Sequence, residues 1–167
     1  MGTTKSTTIT NLDASPSVIP DARNSHGRVM AKIETLETAV ADTTGQIYRF
    51  VRVNAQDRIL SIKIFHDDVT TGTDMDCGIY AINGGDAVDV DCYADGYDAS
   101  SANTTGTEIR FNDTTTASVS LAKQAVWEDA SVSADPGNIQ YDLCLTSNTD
   151  VSAAKTITLQ VLYLAGS

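Results

Sequence analysis

The stretch that most constrains the fold of this chain runs from Met75 to Ala94 and reads MDCGIYAINGGDAVDVDCYA. Apolar residues alternate with polar or small ones on both sides of Asn83–Asp86, which is the pattern of a β-hairpin with one buried face. A tight hairpin turn needs positive φ, so Gly84 and Gly85 are predicted to be its two central residues. The partners across the hairpin are then Ala81 and Val88, Ile79 and Val90, and Cys77 and Cys92.

This register gives the hairpin a core side and an acidic, solvated side, on which Tyr80 lies opposite Asp89. Cys77 and Cys92 become direct neighbours on the core side, with Cα atoms about 5.5 Å apart as in a hydrogen-bonded antiparallel pair. They either pack as two small apolar thiols or form a cross-strand disulfide. Three cysteines do not make the disulfide framework of a small secreted domain, so free thiols are the favoured interpretation.

Other segments alternate in the same way or are rich in β-branched and aromatic residues, and they are predicted to be strands. They are Arg28–Thr38, Ile47–Val53, Ile59–Phe65, Glu108–Phe111, Gln140–Thr146 and Thr156–Leu164. Leu121–Ala130 has a helical pattern and contains Trp127, which we expect to plug one end of the core. Seven or eight short strands with one brief helix predict an all-β protein, an antiparallel sandwich that is jelly-roll-like or Ig-like.

The chain divides into an extended N-terminal arm, residues 1–26, and a β-sandwich domain, residues 27–167. The arm is rich in Thr and Ser, and Leu12, Val18 and Ile19 are among its few sizeable apolar side chains, so it cannot form a core of its own. We expect it to be held on another surface. In the last strand, Leu162 and Leu164 fall on the face opposite the core residues, which predicts a contact surface there.

Charge is unevenly distributed along the chain, whose net charge is −11. Residues 1–63 hold eight basic and six acidic residues, whereas residues 64–167 hold three basic and sixteen acidic ones. Binding to nucleic acid needs clustered cations, so no nucleic-acid partner is expected. The excess of acidic residues predicts an acidic outer surface. No apolar run approaches the roughly 20 residues that span a bilayer, so no membrane partner is expected either.

Few residues here could support catalysis. The two histidines, His26 and His66, are predicted to be solvated, and no nucleophile, zinc or nucleotide motif occurs, so we expect no enzyme activity and no cofactor. The acidic residues between Asp67 and Asp98 could bind Ca²⁺ through loop oxygens. An EF-hand alignment starting at Asp91 fails, however, because Ala102 stands where a bidentate glutamate is required.

Several segments together resemble a known family. They are TTKSTTITNLDASPSVIPDARNSHGRV at the start, DRILSIKIFHDDVTTG, DCGIY, and VWEDASVSADPGNIQYDLCLT. They are similar to the small structural proteins encoded beside the major capsid protein in many tailed bacteriophages, which serve as head decoration or cement proteins. The resemblance implies a homo-oligomeric sandwich, dimer or trimer, that is made in the host cytoplasm and bridges major capsid protein subunits on the outer surface of the virion.

On this interpretation the arm binds the capsid through Leu12, Val18, Ile19, Arg23 and the adjoining Arg28, while Leu162 and Leu164 contact the capsid or a second copy. The alternative is a ligand-binding sandwich, such as a carbohydrate-binding or receptor-binding module. That function needs an exposed row of aromatic residues. The candidates for such a row are Tyr80, Tyr93 and Tyr97.

Overall fold

A computed structural model describes residues 9–10, 13–17, 28–40, 42–69, 74–111, 119–151 and 153–166. Eight strands lie within these residues: β1 (Val29–Glu37), β2 (Ile47–Asn54), β3 (Arg58–His66), β4 (Asp74–Ala81), β5 (Ala87–Asp98), β6 (Asn103–Glu108), β7 (Gln140–Ser147) and β8 (Thr156–Leu164). A 3₁₀ segment, Val119–Lys123, and a single α-helical turn, α1 (Val126–Asp129), separate β6 from β7.

The strands form two four-stranded sheets in which neighbouring strands are antiparallel. The first sheet has the order β1-β8-β3-β6 and the second sheet the order β2-β7-β4-β5. Their inner faces enclose one core, built largely from alternate residues of the central strands. The structure therefore confirms the predicted all-β antiparallel sandwich with one short helix.

The last strand shows how alternation places residues in the core. Ile157, Leu159 and Val161 are completely buried on its inner side, as predicted, whereas Leu162 and Leu164 lie on its outer side and are half-buried. Burial of one such aliphatic side chain contributes roughly 1.5–3 kcal/mol. The two faces of β8 are therefore fixed energetically, because a shift of one residue would move the buried side chains to the outer face.

The hairpin of β4 and β5 is present, but the predicted register is wrong. Asn83 and Gly84 have positive φ, 59° and 79°, and the Gly85 N–H donates to the Ile82 carbonyl at 3.2 Å. The turn therefore centres one residue earlier than predicted, because asparagine also tolerates the left-handed conformation. As a result Tyr80 pairs with Ala87 rather than with Asp89.

A bulge moves the register further along the same hairpin. Ile79 pairs with Asp89 and Cys77 pairs with Ala94, so one residue of β4 stands opposite four residues of β5. Cys92 lies within this bulge, and the predicted direct pairing of Cys77 with Cys92 is wrong. Both thiols are free and buried. Alternation alone does not reveal such a bulge, because extra residues leave the pattern on each side intact.

Two further predictions about β6 and the helix also need correction. The short strand is Asn103–Glu108 rather than 108–111, and the helical segment is divided by Gln124 and the extended Ala125. The cause of the division is tertiary, since the N–H groups of Val126 and Trp127 donate to the carbonyls of Asp57 and Ala55. Trp127 is partly buried against the core.

Candidate contact surfaces

The outer face of the first sheet carries an apolar patch formed by its edge strand β1 and its central strand β8. Val29 lies opposite Leu164 and Ala31 opposite Leu162, with Ile33 next along β1. Val29 is 58% exposed and Ile33 is 61% exposed. We call Val29, Ala31, Ile33, Leu162 and Leu164 the outer patch. The predicted faces of β8 are confirmed, while a contact role for its two leucines remains a prediction.

Edge strand β1 presents its apolar side to the outside. Its alternation is the predicted one, but Lys32 and Glu34 lie on the side of the core, in line with Val161 and Leu159 of β8. The Lys32 ammonium donates to the Arg52 carbonyl of β2 and lies 5.2 Å from the centre of the Tyr163 ring. Lys32 thus spans the gap between the two sheets, where its long side chain reaches both an acceptor and an aromatic face.

The remainder of this outer face is balanced in charge. Lys63 is exposed and lies between Gln160 of β8 and Glu108 of β6. The Glu108 carboxylate accepts hydrogen bonds from the Ser61 hydroxyl and, at 2.9 Å, from the Ile62 N–H. In a chain of net charge −11, a face on which acids do not outnumber bases repels an acidic partner less than the rest of the surface does.

The outer face of the second sheet is covered by its own chain. A Cβ atom at Gly78 would lie 2.1 Å from the Asp89 carbonyl oxygen, so the backbone of β5 passes directly over β4 at this glycine. Tyr80 and Cys144, on the outer side of the sheet, are 3% and 0% exposed. The predicted acidic, solvated face of the hairpin is therefore wrong at Tyr80, because the bulge of β5 covers it.

Arg49 holds the hairpin turn that leads into this covering strand. Its guanidinium donates to the carbonyls of Ala81 and Gly85, at 2.8 and 2.7 Å, and lies 5.4 Å from the Tyr80 ring. Beside it, Arg52 donates two hydrogen bonds to Asp142, at 2.7 and 3.2 Å. These hydrogen bonds hold the pKa of the Asp142 carboxyl below its usual value. The three charged side chains line an open cleft of about 370 Å³ on the second sheet.

A second Arg–Asp pair is buried and was not predicted. Arg110 donates to Asp129 at 2.7 Å and to the Leu121 carbonyl at 2.8 Å, and both charged side chains are completely buried. The guanidinium also lies 5.1 Å from the centre of the Tyr93 ring. Burial raises the pKa of the Asp129 carboxyl despite the arginine. One sequence signal was available, since Arg110 is the only basic residue between Lys63 and Lys123.

His66 is also placed differently from the prediction. It is buried, with Nδ1 2.7 Å from the Asp67 carbonyl and Nε2 2.9 Å from the Tyr97 hydroxyl. Because a carbonyl only accepts, the Nδ1–H group donates to Asp67, and the second ring nitrogen makes its hydrogen bond with the Tyr97 hydroxyl. Asn103 donates to the same hydroxyl at 3.0 Å. The prediction of a solvated His66 is therefore wrong, and the residue closes one end of the sandwich; His26 lies outside the described residues.

The aromatic row required by a ligand-binding sandwich is not assembled. Tyr80 and Tyr93 are buried, and Tyr97 is used by His66 and Asn103. The cysteines likewise provide no reactive group, because burial raises the pKa of the Cys144 thiol to about 12 and raises those of Cys77 and Cys92.

The described residues form neither a metal centre nor a helix that could cross a membrane. Within the described residues, no three or more His, Cys, Asp or Glu side chains are placed to hold a metal ion, and this includes the acids between Asp74 and Asp98. None of the described helices is both long and apolar enough to cross a membrane. Of the residues predicted to bind the capsid, Leu12, Val18, Ile19 and Arg23 lie outside the described residues, and Arg28 is exposed at the start of β1.

The fold is a two-sheet antiparallel sandwich, and a chain from a phage capsid structure has a similar arrangement. A chain of "Cyanophage Pam1 capsid asymmetric unit" matches with a TM-score of 0.53 and 12% identity over 92% of this chain and 96% of that one. A chain of "Capsid of Ralstonia phage GP4" matches with a TM-score of 0.46 and 18% identity over 90% of each chain. The first likeness establishes a shared fold. No protein-family model and no curated protein matches the sequence.

Proposed function

We propose that this chain is a structural protein of a bacteriophage virion that decorates and cements the outer surface of the capsid by bridging major capsid subunits. It acts as a homo-oligomer, dimer or trimer, and has no catalytic role. The observation that carries the proposal is the fold shared over almost the full length of both chains with a chain of a phage capsid assembly.

The outer patch supports a contact role for the first sheet. Val29 and Ile33 are each more than half exposed, next to two half-buried leucines, on a face where acids do not outnumber bases. Contiguous exposed apolar side chains on a soluble protein mark an interaction surface. We assign this patch to the contact with the capsid, with the N-terminal arm as a second point of attachment.

Binding to heads of the phage that lack this protein tests the patch. The double variant Leu162→Glu, Leu164→Glu should lower occupancy on the heads by at least about tenfold, because it places two charges in an apolar contact. The matched control is Ala87→Glu, Val88→Glu, which adds the same charge at exposed positions of β5 in the other sheet. Unchanged circular dichroism would show that both variants fold.

Two results would contradict this assignment. Equal occupancy of the leucine variant and the wild type would remove the outer patch from the capsid contact. Full occupancy after deletion of residues 2–22 would remove the arm. If the wild type itself does not bind heads, the decoration function is wrong; binding to heads that also become more resistant to heat supports it through mass action.

A further inference from the structure

Four strands lie at the edges of the two sheets, and three of them are irregular. Pairing of β2 with β7 shifts between Arg49 and Val51, and β5 shifts three times against β4. Strand β6 has six residues and a shift of its own. Short edges and bulges prevent a second chain from extending a sheet. These three edges are thus protected.

The fourth edge strand, β1, has none of these interruptions. All nine of its residues pair with β8 in one continuous register, from Val29 opposite Leu164 to Glu37 opposite Thr156. In the described part of the chain, β1 pairs with β8 alone. A long, regular edge strand presents unpaired backbone N–H and C=O groups and is a template for another strand.

The sequence of β1 fits an antiparallel copy of itself. With Ile33 opposite Ile33, Lys32 of each copy lies opposite Glu34 of the other, and Met30 lies opposite Leu36. Opposite charges and apolar side chains in directly facing positions stabilise a strand pair. The Lys32–Glu34 and Met30–Leu36 pairs each occur twice, because the arrangement is symmetric.

Neighbouring registers are disfavoured by the same residues. Moving the centre of symmetry by one residue in one direction places Lys32 opposite Lys32, and in the other direction it places Glu34 opposite Glu34. Like charges in directly facing positions destabilise the pair. The charge pattern therefore selects the register centred on Ile33.

We propose that β1 pairs antiparallel with β1 of a second copy about a twofold axis at Ile33, which joins the two first sheets into one sheet of eight strands. Symmetric pairing of identical surfaces is the commonest form of homo-oligomer. The inference deepens the proposed function, on whose homo-oligomer it rests, because it names the strand that joins the copies. It also places both outer patches on the same side of the joined sheet, where they could bind the capsid together with avidity.

Sedimentation equilibrium of the purified full chain tests the pairing in the absence of heads, so its outcome does not depend on capsid binding. We expect a dimer. Glu34→Lys places a lysine opposite Lys32 in both symmetric pairs and should raise the dissociation constant by about tenfold or more. The swap Lys32→Glu, Glu34→Lys restores both opposite pairs and should return the constant toward the wild-type value.

The matched control is Glu37→Lys, which makes the same charge change at the end of the same strand, opposite Val29, and should leave the dimer intact. A second measurement uses Ile33→Cys, because two cysteines at the axis lie at a distance that a disulfide can bridge. The native thiols are buried and contribute little background. Oxidation should therefore give a covalent dimer from the Ile33→Cys variant and none from a Val29→Cys variant.

A monomer, a trimer, or a dimer that is equally stable with Glu34→Lys and Glu37→Lys would overturn the β1 pairing. A monomer would also contradict the homo-oligomer of the proposed function, but none of these results decides whether the chain decorates the capsid, which the binding to heads tests separately. A β1 dimer that fails to bind heads would support the pairing and contradict the decoration function.

Discussion

The two sheets of this sandwich have the same number of strands, and neighbouring strands are antiparallel in both, yet their outer faces differ. The first sheet leaves Val29 and Ile33 exposed beside a regular edge strand. The second sheet buries Tyr80 and Cys144 on its outer side, under a β5 strand of twelve residues that is paired with a β4 of eight. The extra residues of β5 pass over Gly78 and bury the side chains on the outer side of the second sheet.

This difference indicates which sheet can contact a partner. A face covered by its own backbone and held by Arg49 cannot offer apolar area without unfolding its cover, whereas the first sheet offers it at no such cost. Contacts with other molecules should therefore fall on the first sheet, and stability should depend most on the residues that close the second sheet and the adjacent end of the core.

The largest loss of stability is expected from Arg110→Met. The change leaves the Asp129 carboxylate buried without its partner, which typically costs about 3–5 kcal/mol. Chemical denaturation measures this cost, and the double variant Arg110→Met, Asp129→Leu should recover most of the loss. A single variant within about 1 kcal/mol of the wild type would show that water reaches Asp129.

Gly78→Val should cause the second-largest loss of stability, and it should do so by displacing β5 rather than β4. Its side chain would meet the Asp89 carbonyl and the Val90 backbone, so the covering segment must move, at an expected cost of about 1–3 kcal/mol or more. Hydrogen exchange should show increased opening of residues 87–93. Gly84→Ala is the control, because nothing lies near that glycine and the alanine would be strained only by the positive φ. Equal exchange in β5 of the two variants would contradict the proposed cover.

The pH dependence of stability should show a smaller effect at Asp142. Its pKa is lower in the folded protein, so its contribution is fully present above the ordinary aspartate value of about 3.9 and is lost as the pH falls through the folded value. Because the pair is partly solvated, the contribution is about 1 kcal/mol or less. Asp142→Asn should therefore flatten the fall in Tm below about pH 4.

Asp129 has the opposite effect on the pH dependence of stability. Its pKa is raised in the folded protein, so protonation relieves the cost of burying the carboxylate.

The outcome that would contradict the prediction for Asp142 is a loss of stability below about pH 4 that Asp142→Asn leaves unchanged. It would mean that the pair of Asp142 with Arg52 contributes nothing measurable.

The smallest effect on the fold is expected on the first sheet. Ile33→Thr, measured in the Glu34→Lys background at a concentration where the chain is monomeric, should change the free energy of unfolding by no more than about 0.5 kcal/mol because the side chain is exposed. Leu159→Ala in the same sheet should cost about 2–5 kcal/mol because it opens a cavity in the core. A large cost at Ile33 would mean that the outer face is already covered within one copy.

The local pattern was sufficient for most of the strands and for the two faces of the last one. The alternation in β8 correctly divided Leu159 and Val161 from Leu162 and Leu164. This works because a period of two assigns every side chain to one side as soon as the segment is a strand. The same rule identified the hairpin, and the series of short strands correctly predicted an antiparallel sandwich.

By itself, then, the sequence determined the fold class, the position of most strands along the chain, and the separation of charge along it. Only the tertiary structure decided which faces are covered, because burial of Tyr80, His66 and the Arg110–Asp129 pair depends on segments distant in the chain. It also decided the hairpin register, since a bulge is set by the packing of β5 over Gly78 and leaves the local alternation unchanged. Only the structure decided which side of β1 faces the core, because alternation separates the two sides of a strand without saying which neighbours each side meets.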